Sequence, residues 1–165
     1  PLHRVVGEAD AAAAVDRQRL VATALLCAES VGAMQTGFDL TVEWAFDRYT
    51  FGRPLASYQA LKHRFADMAT WLQAAHAIAD HAALAVAGEA PDAGELLGAA
   101  KAFVGAYGSE VLQDCVQLHG GIGLTFEHDL HLYLRRHTVD RTLYGAPAEH
   151  RRRLGADVLA AAGAR

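Results

Sequence analysis

The chain has 165 residues, the length of one ordinary domain, and 52% of them are hydrophobic, enough for a sizeable core. Its formal net charge of −4 excludes a general electrostatic field for binding nucleic acid. No stretch approaches the roughly 20 apolar residues of a membrane-spanning helix. We therefore expect neither nucleic acid nor a membrane as a partner. The local run of arginines at 135–153 is typical of a solvated helix face.

The first seven residues, PLHRVVG, differ from the helical pattern that follows them. They have the composition of a strand end, and the chain does not begin with methionine. We therefore predict that residues 1–15 are the end of an upstream β-domain and a linker. Residues 16–165 are predicted to form one helical domain.

Three long runs place apolar residues at spacings of three and four, as one face of a helix does. They cover residues 20–45, 61–86 and 97–118, and two shorter segments follow at about 128–143 and 148–162. Glycine and proline separate the runs at 52–54, 88–94, 120–123 and 145–147. The pattern predicts an all-α fold, an antiparallel up-down four-helix bundle with a short additional C-terminal helix.

The chain contains two cysteines, Cys27 and Cys115, and both lie within apolar helical runs. That position predicts buried free thiols in a reducing compartment rather than a disulfide framework. We accordingly expect a cytoplasmic protein.

A metal site is not expected. A di-iron bundle needs glutamate and histidine three residues apart on one helix face, but the Glu-His pairs of this chain are adjacent in sequence. His119, His128, His131 and His137 cluster in sequence without acidic or thiolate partners, and we interpret them as polar surface residues.

Two stretches carry more polar and aromatic residues than a simple turn requires. The first is DRYTFGRPLASYQ at 47–59, and the second is QLHGGIG at 117–123. A double glycine at a helix end is typical of a C-cap, but glycine also lets a ligand approach the backbone closely. Gln117 would offer such a ligand both hydrogen-bond donors and acceptors.

Together the two motifs strongly resemble the C-terminal domain of the acyl-CoA dehydrogenases. The resemblance extends from about residue 16 to 160, and PLHRVVG resembles the end of that family's middle β-domain. It implies an FAD-dependent α,β-dehydrogenation of an acyl-CoA thioester. It also implies a homo- or hetero-oligomer, a dimer or tetramer, in which each FAD lies at a subunit interface.

The resemblance implies a role for each motif residue. Arg48, in the R-x-T-F-G motif, would reach the pyrophosphate of an FAD held mainly by the neighbouring subunit. The glutamine and glycines of the second motif would contact the adenosine half. The implied FAD-binding residues of this chain are Arg48, Thr50, Phe51, Gln59, Gln117, Gly120 and Gly121.

The catalytic base implied by the family is missing. Members abstract the α-proton with a glutamate that follows a tyrosine in a loop, and counting from Arg136 places that position at Gly145. A second group keeps the glutamate on the first long helix, where the matching position is Ala22. Glu29 lies seven residues later, about 10 Å along the helix, a long distance against the roughly 3 Å of direct proton transfer.

This combination resembles actinobacterial members that pair a competent subunit with a degenerate one in sterol breakdown. We therefore expect a subunit without its own base, inactive alone, that supports FAD in trans. A self-sufficient homotetramer with a relocated base, a flavin-dependent monooxygenase on the same fold and a purely structural bundle are the alternatives.

Overall fold

The structure is a computed structural model that describes residues 8–163. Its helices are α1 (Glu8–Asp47), α2 (Gln59–Ala87), α3 (Ala93–His119), α4 (Leu130–Thr142) and α5 (Pro147–Gly163). Between α1 and α2 lie two short strands, β1 (Tyr49–Thr50) and β2 (Arg53–Pro54), and a 3-10 turn (Leu55–Ser57). A second 3-10 turn, Gly120–Leu124, follows α3. None of the helices described in residues 8–163 is long and apolar enough to cross a membrane.

The predicted bundle is confirmed. The helices α1, α2 and α3 all pack against one another, α4 covers α1 and α3, and α5 packs on α3 as the additional C-terminal helix. The predicted runs therefore correspond to the helices, but α1 already begins at Glu8 rather than at residue 16. Residues 1–7 lie outside the described part of the chain, so the upstream β-domain stays a prediction.

The connection between α1 and α2 contains a β-hairpin, which the helical periodicity did not predict. The helix ends at Asp47, and β1 and β2 form an antiparallel ladder that pairs Thr50 with Arg53. Phe51 and Gly52 form the two-residue turn with φ of 51° and 79°. Two positive φ values match the twist of a tight hairpin, but a bulky residue such as phenylalanine adopts this conformation only rarely.

The core lies between α1, α2 and α3 and combines a few large side chains with many alanines. Met34, Met68, Leu72 and Leu112 are almost fully buried, and alanines such as Ala75 lie beside them. Small residues let helix axes approach closely, so the dispersion contacts of each large side chain increase. The long helices are thereby held in a fixed antiparallel register.

Both cysteines are buried and free, as predicted. Burial raises the pKa of the Cys27 thiol to about 11 and that of the Cys115 thiol to about 12. A thiol that stays protonated at neutral pH is a poor nucleophile, so these residues act as small apolar groups.

The prediction of surface histidines is wrong for His119 and His137, which are buried. His137, on α4, packs over Gly108 of α3, where an added Cβ would lie 2.4 Å from the imidazole Cε1. Its Nε2 lies 3.2 Å from the Ser109 hydroxyl. The imidazole thus fills the space that a glycine leaves, and helical periodicity gave no signal for this fit.

The interior face of α4 carries further polar groups. Lys101 of α3 is buried and donates its ammonium group to the backbone carbonyl of Asp140. Arg136 Nε lies 3.2 Å from the buried Asp140 carboxylate, and Arg136 Nη2 lies 2.6 Å from Glu29 on α1. Burial lowers the pKa of Lys101 and raises the pKa of Asp140. These contacts hold α4 against α1 and α3.

Acidification should destabilise the fold through His137, because burial lowers its pKa from 6.5 to about 4. Between these pH values the unfolded chain binds a proton at this imidazole and the folded chain does not. The free energy of unfolding should therefore fall as pH decreases through this window, by about 3 kcal/mol from this group. Above pH 6.5 the group is neutral in both states and contributes no pH dependence.

Chemical denaturation of His137→Gln at a series of pH values tests this expectation. The variant should be less stable at pH 7, but its unfolding free energy should depend less steeply on pH between 6.5 and 4. His63→Gln, at an exposed position of α2, serves as the matched control and should keep the wild-type slope. If the unfolding free energy of His137→Gln depended on pH as steeply as that of the wild type, its pH dependence could not be assigned to His137.

Candidate cofactor-binding end

Three chain segments meet at one end of the bundle because its long helices are antiparallel. The C-terminus of α1, the N-terminus of α2 and the C-terminus of α3 all lie there, together with the β1–β2 hairpin and the Gly120–Leu124 turn. The two motifs of the sequence, at 47–59 and 117–123, are therefore neighbours in space.

The hairpin corner is rigid because its backbone groups are satisfied locally. The Arg48 amide donates to the Trp44 carbonyl, and the Leu55 amide donates to the Arg48 carbonyl, each at 2.8 Å. The Tyr58 hydroxyl donates to the Thr50 carbonyl at 2.6 Å. The Arg53 guanidinium carbon lies 3.9 Å from the centroid of the Tyr58 ring. This bracing fixes where the side chains of the turn point.

The side chains predicted to bind cofactor at this corner face outward. Phe51 is 94% exposed, and Arg48 and Gln59 are exposed, while Thr50 is half-buried. Within residues 8–163, the Arg48 guanidinium has neither a hydrogen bond nor an ion pair. An exposed aromatic residue in a strained backbone conformation, beside a free cation, is a candidate binding feature.

The second motif forms the end of α3 and the turn after it. Gly120 ends the helix with φ of 66°, a conformation that glycine adopts without strain. Gln117 is exposed and, with Gly120, Gly121 and Leu124, lines a shallow groove. An added Cβ at Gly121 would meet nothing within 4 Å, so a ligand could approach its backbone.

An aromatic stack joins the two motifs, which sequence analysis did not foresee. The Trp44 and His119 rings are stacked, with centroids 5.2 Å apart and planes inclined by 15°. The Arg48 guanidinium carbon lies 5.8 Å from the Trp44 centroid. The i, i+4 spacing of Trp44 and Arg48 at the end of α1 could have indicated their contact from the sequence. No sequence pattern indicated that His119 of α3 would stack on Trp44.

Large apolar side chains surround this end without cover from the described chain. Exposed fractions are 64% for Phe46, 64% for Tyr49, 77% for Leu124 and 83% for Phe126. Isolated exposed apolar residues are common on proteins, but several at one end, beside polar groups, are typical of an interaction surface. The arrangement suits a ligand held between this surface and a second protein surface.

The position matched to the usual base lies in the loop between α4 and α5, away from this end. Gly145 has φ of 109°, and an added Cβ would lie 2.8 Å from His150 Nε2. The same Nε2 lies 3.2 Å from the Tyr144 carbonyl, and the Glu149 carboxylate accepts a hydrogen bond from the Ala146 amide at 2.8 Å. The loop is thus built around a glycine.

The two other base candidates lie on α1. Ala22 is half-buried and carries no titratable group. The Glu29 carboxylate accepts a hydrogen bond from Arg136 at 2.6 Å. In the described part of the chain, no group of three or more histidine, cysteine or acidic residues could hold a metal ion.

Comparison with known proteins identifies the fold. Residues 12–159 match the family model described as "Acyl-CoA dehydrogenase, C-terminal domain". The chain is 41% identical over 146 residues to the acyl-CoA dehydrogenase IpdE2 of Mycolicibacterium smegmatis. This match covers 87% of this chain and 45% of the relative. It is 36% identical over 163 residues to FadE34 of Mycobacterium tuberculosis, covering 91% of this chain and 23% of the relative.

A solved structure gives the same result. The steroid acyl-CoA dehydrogenase Tcur3481-Tcur3483, as its G363A variant, superposes with a TM-score of 0.80 and 27% identity, covering 87% of this chain and 39% of that chain. The chain spans less than half the length of each of these relatives. It belongs to the acyl-CoA dehydrogenase family, whose C-terminal helical domain it matches over almost its entire length.

Proposed function

We propose that this chain is the C-terminal domain of an FAD-dependent acyl-CoA dehydrogenase subunit that lacks its own catalytic base. In this proposal the domain forms part of the oligomer interface and binds, in trans, the FAD of a neighbouring subunit. The observation that carries the proposal is the cofactor-binding end, where a braced hairpin directs Arg48 and Phe51 outward beside a glycine turn.

The residues at this end fit a dinucleotide. Arg48 offers a planar, permanently charged guanidinium to the diphosphate, and its lack of a partner within the described residues leaves the group available. Gln117 can donate hydrogen bonds to the adenosine half and accept them from it. Gly120 and Gly121 carry no side chain that would block the adenosine from approaching their backbone. FAD, when bound, supplies the acceptor for the β-hydride of the acyl thioester.

The missing base supports a dependent rather than a self-sufficient subunit. The loop position carries Gly145, and Ala22 cannot accept a proton. Glu29 already accepts the hydrogen bond of Arg136, which holds its carboxylate against α4. A competent partner subunit would then provide the carboxylate that removes the α-proton.

The name of one relative suggests the substrate class and the assembly. The steroid acyl-CoA dehydrogenase Tcur3481-Tcur3483 carries two gene-product designations, which suggests two kinds of subunit. By analogy we propose a heteromer acting in the cytoplasm on the acyl-CoA thioester of a steroid or a steroid fragment. The exposed apolar residues around the cofactor-binding end would face the partner subunit.

Arg48→Ala in the full-length complex should weaken FAD binding without unfolding the bundle. Loss of a charged hydrogen bond to the diphosphate should cost about 1.5–3 kcal/mol, or about ten- to 150-fold in Kd. Arg152→Ala, at an exposed position of α5, is the matched control and should leave the Kd unchanged. Titration of the apo-complex with FAD measures the Kd of both variants. Equal affinities for FAD in Arg48→Ala and Arg152→Ala would contradict the proposed role of Arg48.

The full-length subunit expressed alone should not dehydrogenate acyl-CoA thioesters, whereas its complex with a competent subunit should. The complex should contain about one FAD per two chains. Glu29→Gln in this subunit should leave turnover within a few-fold, because Glu29 is not the base in this proposal. Loss of a general base would lower the rate by about a hundredfold or more. Robust turnover by the lone subunit that collapses in Glu29→Gln would instead identify Glu29 as the base.

Gly145→Ala should destabilise the protein, because φ of 109° strains any other residue and the new Cβ would meet His150 Nε2 at 2.8 Å. The expected loss is about 1–3 kcal/mol in the free energy of unfolding. Gly155→Ala on α5 is the matched control, since its Cβ would meet nothing within 4 Å. The control should gain about 0.5–1 kcal/mol from helix propensity. Equal changes in the free energy of unfolding in the two variants would contradict the inference that the backbone at Gly145 is strained for other residues.

A further inference from the structure

We propose that Trp44 and His119 are positioning residues that couple Arg48 to the glycine turn, Gly120–Leu124. Arg48 and the glycine turn are the two halves of the proposed FAD-binding clamp, and this coupling would make them one unit. The proposal rests on the proposed function. It concerns residues that lie beneath the clamp: Trp44 is outside both sequence motifs, and His119 was interpreted from the sequence as a surface residue. They belong to the column Arg48, Trp44, His119 and His128, in which each member contacts the next.

The upper part of the column orients Arg48. Trp44 lies in the last turn of α1, four residues before Arg48, and the Arg48 guanidinium carbon is 5.8 Å from the Trp44 ring centroid. That separation lies within the range of about 6 Å for a cation–π contact, for which tryptophan has the most favourable ring. No hydrogen bond or ion pair within the described residues holds the Arg48 guanidinium, so the contact with the Trp44 ring is available to orient it. The ring restricts an otherwise flexible cation before the anionic ligand arrives.

The lower part of the column fixes Trp44 to α3. The His119 Nδ1 donates to the Cys115 carbonyl at 2.8 Å, so this nitrogen carries the proton. Burial lowers the pKa of His119, which favours the neutral imidazole. A neutral ring can stack on Trp44 without placing a second positive charge beside Arg48. Gly120 follows His119 directly, so the stack transmits the position of the glycine turn to α1.

His128 closes the column. Its ring centroid lies 4.6 Å from that of His119, and its Nδ1 accepts a hydrogen bond from the Leu130 amide at 3.1 Å. The segment after the glycine turn is thereby packed against the same imidazole. A column with contacts at every step has little freedom to let one motif move without the other.

A double-mutant cycle on the full-length complex tests the coupling, with the Kd for FAD and the unfolding temperature measured for every variant. Trp44→Leu should weaken FAD binding about three- to tenfold in the presence of Arg48, as expected for a lost cation–π contact. In the Arg48→Ala background the same substitution should change the Kd less than twofold. Trp71→Phe, remote from the column and stacked on Tyr107, is the control.

Site-specific fluorination of Trp44 keeps the experiment informative where Trp44→Leu fails to assemble. Successive fluorine atoms weaken the negative face of the indole while almost preserving its shape, so a purely structural role would not respond. The Kd for FAD should rise stepwise with fluorination, and it should stay constant in Arg48→Ala. Fluorinated Trp71 should give no change.

The outcomes separate the two proposals. If Arg48→Ala leaves the Kd for FAD unchanged, the trans clamp itself is wrong. If Arg48→Ala weakens binding but fluorination of Trp44 has no effect, or its effect persists without Arg48, the clamp stands and the positioning role is overturned. His119→Leu supplies a second measure, since its effect on the Kd should also shrink in the Arg48→Ala background.

Discussion

The close antiparallel packing of α1, α2 and α3 is the constraint on which the rest of the structure depends. Alanines and glycines at the helix contacts permit this approach. At Gly37 of α1, for example, an added Cβ would lie 2.7 Å from the Leu112 side chain of α3. Because successive helices run antiparallel, α1 and α3 run in the same direction at fixed register, and their C-terminal ends meet. A slip of one turn, about 5.4 Å, would separate Trp44 from His119 and divide the two motifs.

The fourth helix is held by a different kind of contact. Its buried residues are Leu130, His137 and Asp140, so two of three are polar. Burying such groups costs free energy that their partners only partly offset, since His137 Nδ1 and both Asp140 carboxylate oxygens have no hydrogen-bond partner within the described residues. Lys101 reaches the backbone carbonyl of Asp140, and Arg136 joins the Asp140 and Glu29 carboxylates. These contacts set the position of α4 and of the loop that follows it.

Helical periodicity predicted the number of helices, their order and their approximate limits, because apolar spacing reflects burial directly. It did not predict the β1–β2 hairpin, whose Phe51 has a positive φ that no propensity favours. The interpretation of His119 and His137 as surface residues was wrong, because their burial depends on a tryptophan and a glycine of other helices. The motif residues were found through resemblance to a family. The aromatic stack beneath them is a tertiary feature that local patterns do not encode.

In the loop after α4, the contacts around position 145 involve several residues rather than a single side chain. His150 occupies the space into which a side chain at position 145 would project, and its imidazole contacts the Tyr144 carbonyl. Tyr144 and Gly145 both have positive φ, and Glu149 satisfies the Ala146 amide. These contacts support one another, so a carboxylate introduced at Gly145 would have to displace His150 and change the backbone as well. The loop therefore packs against α3 and α5 in a form that leaves no room for a side chain at position 145, which is the structural argument behind the proposed absence of a base there.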